Sequence, residues 1–140
     1  MTGQYQHTID AKGRLFIPVK LREELGDTFY VTISATDHCL TVYSEAGWER
    51  LTEQFESLPY TKARKVIRLI FANAAKCEPD AQGRILLPQK LRDYAELKKD
   101  VVVAGVSKRA EIWDAAKWNA LETAELEGDD LASIMEELGI

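Results

Sequence analysis

Asp10-Ala11-Lys12-Gly13-Arg14-Leu15-Phe16-Ile17-Pro18-Val19-Lys20-Leu21-Arg22 returns as Asp80-Ala81-Gln82-Gly83-Arg84-Ile85-Leu86-Leu87-Pro88-Gln89-Lys90-Leu91-Arg92, displaced by 70 residues in a chain of 140. The chain is a tandem duplication. At the same offset Val42, Tyr43, Ala46, Trp48 and Leu51 match Ile112, Trp113, Ala116, Trp118 and Leu121, so a whole structural unit was copied rather than a short motif. A repeat of this length exceeds the roughly 20–50 residues of solenoids and propellers. A half-chain of this size buries only about 60% of its unfolded surface, so the two halves are expected to share one core. Function is then expected at the pseudo-twofold axis or on a face that both copies share.

Within one copy, Thr2 to Ile9 is β-prone and ends at Asp10, and Asp10 to Gly13 reads as a tight turn with glycine at the positive-φ position. Arg14 to Ile17 is the expected return strand of a hairpin. Pro18 stops it, because proline cannot donate to a ladder yet suits the start of a helix. Val19 to Leu25 is that helix, closed by Gly26-Asp27. Phe29–Ile33 and Cys39–Tyr43 form a second β-branched and aromatic hairpin, and Ser44 caps a helix running to Phe55. The second half repeats this order: a strand at Ile85 to Leu87, a helix from Gln89 to Leu97, strands at 101–103 and 111–113, and a helix opened by Asp114. Helical spacing of Val66, Leu69, Ile70 and Asn73 within Thr61 to Ala75 predicts a connecting amphipathic helix. Leu131, Ile134, Met135 and Leu138 mark its C-terminal counterpart.

A content of 46% hydrophobic and 29% charged residues fits one globular domain or two intimate subdomains. No apolar run approaches the roughly 20 residues of a membrane span, and no signal-peptide pattern opens the chain, so cytoplasm is the default compartment. The net charge of −5 is unevenly sorted. Glu122, Glu125, Glu127, Asp129, Asp130, Glu136 and Glu137 fall in residues 120–140 without a Lys or Arg, which leaves residues 1–119 slightly basic. Residues 62–92 carry Lys62, Arg64, Lys65, Arg68, Lys76, Arg84, Lys90 and Arg92 against Glu78 and Asp80. Such asymmetry points to a polyanionic partner, with a solvated helix face as the alternative for Lys62 to Arg68. Cys39 and Cys77 form no C-x-x-C pattern and read as buried thiols. His7 and His38 lack partners at zinc-site spacing, so neither a metal nor another cofactor is expected.

The turn D-x-x-G-R followed by three apolar residues and P-x-K-L-R, present twice, resembles the MraZ family of bacterial transcriptional regulators over nearly the whole chain. Each copy is similar to the AbrB-type half-unit, in which two copies interlace their hairpins into a small β-barrel. The resemblance implies an α+β fold in which tandem β-β-α-β-β repeats form one pseudo-twofold double-hairpin barrel with peripheral helices. The expected division is a first AbrB-like repeat at 4–51, a connecting helical segment at 52–75, a second repeat at 76–119 and an acidic helical segment at 120–140. The family's D-x-x-x-R signature falls on Asp10 and Arg14, and again on Asp80 and Arg84. It implies sequence-specific binding of double-stranded DNA at short direct repeats upstream of the regulator's own gene, near the start of the cell-division and cell-wall gene cluster. Ring-shaped homo-oligomers and association with the nucleoid go with it.

An arginine at the foot of such a turn can reach phosphate oxygens or fork onto O6 and N7 of guanine. Lys12, Arg14 and Arg84 are therefore the expected DNA contacts, and Lys12 at the tip suits a phosphate. Gln82 replaces that lysine in the second copy, so the first turn is expected to bind more strongly. Asp10, Gly13, Asp80 and Gly83 are expected to shape the turns, the carboxylates by bonding turn amides and the neighbouring arginine. Lys20, Arg22, Lys90 and Arg92 read as a solvated face or subunit ion pairs, and Trp48, Trp113 and Trp118 as core. The acidic C-terminal segment could dock on another subunit, fold back, or stay flexible, and its apolar residues favour docking. Two other function classes compete: an antitoxin-like protein-interaction module, and an enzyme using an Asp10/Asp80 carboxylate dyad. No Ser-His, Cys-His or phosphate-loop pattern supports catalysis, and no small-molecule substrate is expected.

Overall fold

A computed structural model describes residues 1–140. The elements are β1 (Gln4–Thr8), β2 (Arg14–Phe16), α1 (Val19–Leu25), β3 (Phe29–Ile33), β4 (Leu40–Ser44), α2 (Glu45–Glu56) and α3 (Tyr60–Ala72), followed by β5 (Ala75–Cys77), β6 (Arg84–Leu86), α4 (Gln89–Tyr94), β7 (Asp100–Gly105), β8 (Ala110–Asp114), α5 (Ala115–Glu127) and α6 (Asp130–Glu137). The fold is α+β with antiparallel pairing throughout. No helix is long and apolar enough to cross a membrane.

Pro18 precedes the first turn of α1, whose Leu21 and Leu25 share a buried face, and Gly26 ends it at a φ of 82°. Few residue types other than glycine adopt that conformation without cost. In the second copy Glu96 occupies the place of Gly26 and also takes a positive φ, 52°, so α4 stops at Tyr94, short of the expected Leu97. The connecting helix likewise ends at Ala72 rather than Ala75, because Ala75 is already paired in β5. Ser44 accepts a hydrogen bond from the Gly47 amide at 3.1 Å and caps α2, while Asp114 does the same for α5 through Lys117 N at 3.4 Å.

The strands form a six-stranded sheet in the order β1-β7-β8-β4-β3-β5, and a separate two-stranded ribbon, β2-β6. Both are built by exchange between the repeats. β1 of the first copy lies on β7 of the second, and β5 of the second lies on β3 of the first. The expected local hairpin across Asp10–Gly13 is thus confined to its turn, since β1 and β2 each find their ladder partner in the other copy. The hydrogen-bonded ladders do not close into one barrel: the six-stranded sheet is edged by β1 and β5, and β2–β6 is a separate ribbon that packs into the same core.

Two registers locate the pseudo-twofold axis. Leu15 faces Ile85 in the ribbon and Thr41 faces Glu111 in the sheet, and the members of each pair are equivalent under the 70-residue shift. One core crosses this axis. Leu15, Ile17, Leu21, Phe29, Val31 and Leu40 meet Ile85, Leu87, Leu91, Val101, Val103 and Ile112 in a single buried cluster. Helices cover the outer side of the sheet unequally. On α2 and α3, Trp48 stacks on Tyr30 at 4.8 Å and leans on Phe71, and Thr32 donates to the Ile70 carbonyl at 2.6 Å. On α5, Trp118 and Ala115 pack over Val102 and Ala104. Trp113 is buried as expected, whereas Trp48 and Trp118 are half-buried at the seams between helix and sheet.

Candidate nucleic-acid interface

Each turn is held by its own aspartate. Asp10 Oδ1 accepts from the amides of Lys12 at 3.0 Å and Arg14 at 2.9 Å, while its Oδ2 accepts from Arg14 Nε at 2.7 Å. Asp80 repeats the pattern with the amides of Gln82 and Arg84, both at 2.9 Å, and with Arg84 Nε at 3.0 Å. These bonds favour the ionised carboxylates. The backbone amide of Arg14 is the first cause holding Asp10 below the usual carboxylate value, and that of Arg84 is the first cause for Asp80. A proton-sharing dyad needs one acid raised rather than two lowered, so these bonds speak against the carboxylate-dyad reading.

The consequence for Arg14 and Arg84 is orientation. With Nε tied to the aspartate, each guanidinium is fixed at one edge, and its terminal nitrogens make no hydrogen bond within the chain. Both side chains are about one-third exposed. Arg84 also reaches across the axis, placing Nη1 3.9 Å from Asp10 Oδ2. Arg14 has no matching approach to Asp80, so the two turns differ in electrostatics as well as in Lys12 against Gln82. Lys12 and Gln82 are both exposed at the tips.

The glycines admit a second pair of arginines. Gly13 and Gly83 take φ values of 82° and 79°, and a Cβ on Gly13 would fall 2.8 Å from Arg92 Nη2. A Cβ on Gly83 would fall 2.9 Å from Arg22 Cζ. Each helix arginine therefore lies against the other copy's turn, anchored by its Nε to the carbonyl of Ile17 for Arg22 and of Leu87 for Arg92, both at 2.9 Å. Arg22 also sits over the Phe16 ring at 5.4 Å. Both arginines are half-buried and form no ion pair within the chain, which corrects their reading as a solvated face. Their recurrence at position 22 and 92 was the available signal, but helical spacing could not say that the facing turn belonged to the other repeat. Lys20 and Lys90 do remain exposed.

The ribbon brings these residues together at one end of the axis. Ile17 N bonds the Gly83 carbonyl and Leu87 N bonds the Gly13 carbonyl, each at 2.9 Å, so each turn is sewn to the strand following the other. Arg14, Arg22, Arg84 and Arg92 thus surround a two-stranded element with two ionised aspartates. Such an arrangement can engage phosphate oxygens and base edges.

Of the remaining candidates, only His7 adjoins the ribbon, against the Phe16 ring that Arg22 also covers. His38 packs on Tyr94. Cys39 and Cys77 are buried, and burial pushes their thiols up to about 12 and about 11.

The family model described as "MraZ protein, putative antitoxin-like" matches residues 1–67 and again 70–134, one match for each copy. Among curated proteins, the "Transcriptional regulator MraZ" of Carboxydothermus hydrogenoformans is 53% identical over 84% of this chain and 82% of its own length. Those of Acetivibrio thermocellus and Halothermothrix orenii are 48% and 46% identical, each over 99% of this chain and 98% of their own.

Proposed function

This chain belongs to the MraZ family, and from that membership we propose that it is a transcriptional regulator that binds double-stranded DNA through the paired turns Asp10–Arg14 and Asp80–Arg84. The observation that carries the reading is the cross-repeat ribbon, which sets two aspartate-oriented arginines on either side of the axis, with terminal nitrogens that make no hydrogen bond within the chain. The relatives' name is that of a regulator, a non-enzymatic role, and the chain is not an enzyme.

In finer detail, Arg14 and Arg84 contact base edges or phosphates, and Lys12 contacts a phosphate. Asp10, Gly13, Asp80 and Gly83 preserve the turn. The chain acts on the nucleoid in the cytoplasm, at short direct repeats upstream of its own gene near the start of the cell-division and cell-wall cluster, as a ring-shaped homo-oligomer. A ring presents many turns to tandem sites, so that weak contacts act at high effective concentration. Fluorescence anisotropy with the DNA upstream of the coding region tests the contact. Arg14→Ala is expected to weaken binding, and unchanged affinity in a folded variant would sink the assignment.

The antitoxin-like wording of the family description favours a second reading, a protein-interaction module. Co-purification of a stoichiometric unrelated protein with the chain would support it.

A further inference from the structure

We infer that α6 is a docking helix whose receptor is the basic outer face of α3 on a second copy of this chain, so that copies join head to tail. The inference rests on the proposed homo-oligomer and assigns its joining surfaces.

α3 and α6 are equivalent elements under the 70-residue shift, yet they are used differently. α3 lies on the sheet with Ala63 and Ile70 buried. On α6, Glu136 and Glu137 stand where α3 has Val66 and Ile67, and unpaired carboxylates cannot take that buried side. Its apolar residues Leu131, Ile134, Met135 and Leu138 fall where α3 carries Thr61, Arg64, Lys65 and Arg68 on its outward side. No residue of α6 is buried, and Leu131, Ile134 and Leu138 are 57%, 54% and 66% exposed. An isolated helix of fewer than about 12 residues is marginal in water. An eight-residue helix with a bare apolar stripe therefore needs a covering surface.

Charge selects the cover. Asp129, Asp130, Glu136 and Glu137 flank the stripe, so pairing α6 with another α6 would oppose like charges. On α3 none of Lys62, Arg64, Lys65 and Arg68 has a carboxylate within ion-pair distance. Leu58, just before α3, and Tyr60 and Leu69 on it are exposed as well. An open groove of about 560 Å³ between α5 and α6, lined in part by Trp118, Leu126, Leu131 and Ile134, offers room for such side chains. Both surfaces are uncovered within one chain. A donor surface meeting a different receptor surface is a heterologous contact, which repeats until it closes into a ring or extends as a filament.

Light scattering on the full chain tests this with two double variants, Leu131→Asp with Ile134→Asp and Arg64→Glu with Lys65→Glu. Each should raise the concentration needed for assembly by about 30-fold or more, giving monomers with the wild-type circular dichroism spectrum. An equimolar mixture retains one intact donor and one intact receptor, so it should form a dimer and nothing larger. That rescue also shows both variants to be folded. The inference is overturned if either variant keeps the wild-type mass, or if the mixture stays monomeric. Retained mass with lost DNA affinity in the α3 variant would assign that face to DNA instead. A monomeric wild-type chain overturns the ring reading as well, whereas an oligomer indifferent to the α6 changes overturns only the docking assignment.

Discussion

Leu15 and Ile85 are Cα partners at the centre of the β2–β6 ribbon, each the other's equivalent in the duplication, and both are essentially buried. Neither repeat therefore owns the strand pair beneath the turns. Leu15→Ala and Ile85→Ala are each expected to cost about 2–5 kcal/mol. Because the two side chains adjoin across the axis, the double variant should depart from additivity by about 0.5–3 kcal/mol. Urea denaturation of the four proteins checks both statements.

Arg14→Ala should weaken DNA binding by about 1–3 kcal/mol if its terminal nitrogens fork onto a base. Arg84→Ala should cost less, because Arg84 is also drawn toward Asp10 across the axis. Anisotropy titrations at one fixed salt concentration give the comparison, and equal losses would remove the proposed division between the turns.

Lys12→Gln copies the second turn's tip onto the first. Affinity should fall for specific and non-specific duplexes alike, and the slope of log K against log salt should shrink by about 0.9, the value for one phosphate contact. An unchanged slope places Lys12 off the DNA.

Asp10 and Asp80 are lowered in the folded chain, so their stabilising contribution is full above the ordinary carboxylate value and is lost as pH falls through the lowered one. Asp10→Asn should therefore be less stable than the parent at pH 7, with the gap closing in acid. Denaturation midpoints across the acid range would show this convergence, and a constant gap would contradict it.

Cys39 should resist a thiol reagent at pH 8 in the native chain, since burial pushes its thiol to about 12. Reaction should begin only where denaturant unfolds the protein. Rapid native labelling would show that the site opens locally.

Local elements were readable wherever one residue decides the backbone. Pro18 and Gly26 bracket α1, and Ser44 and Asp114 mark the starts of α2 and α5. Two helices end earlier than their spacing predicts: α4 stops before Leu97 because Glu96 reverses the chain without a glycine, and α3 stops before Ala75 because Ala75 enters a ladder with Val31. Strand partnership was hidden for a deeper reason. Because the copies carry nearly the same alternation, β1 could satisfy the equivalent strand of either repeat, and periodicity does not name the partner. For the same reason the turns show Arg14 and Arg84 in sequence, while only the exchange between copies sets Arg22 and Arg92 against the opposite turns of the candidate site.

The exchange also sets a timetable for synthesis. Gln4 pairs with Ala104, so a strand made among the first residues has no ladder partner until about a hundred more have been added. During that interval a growing chain carries an unsatisfied edge, and closing so distant a pair slows folding relative to local contacts. An engineered circular permutant that begins at β6 and joins the original ends would place β7 before β1 and bring the two strands together sooner. It should refold faster than the natural order at equal stability.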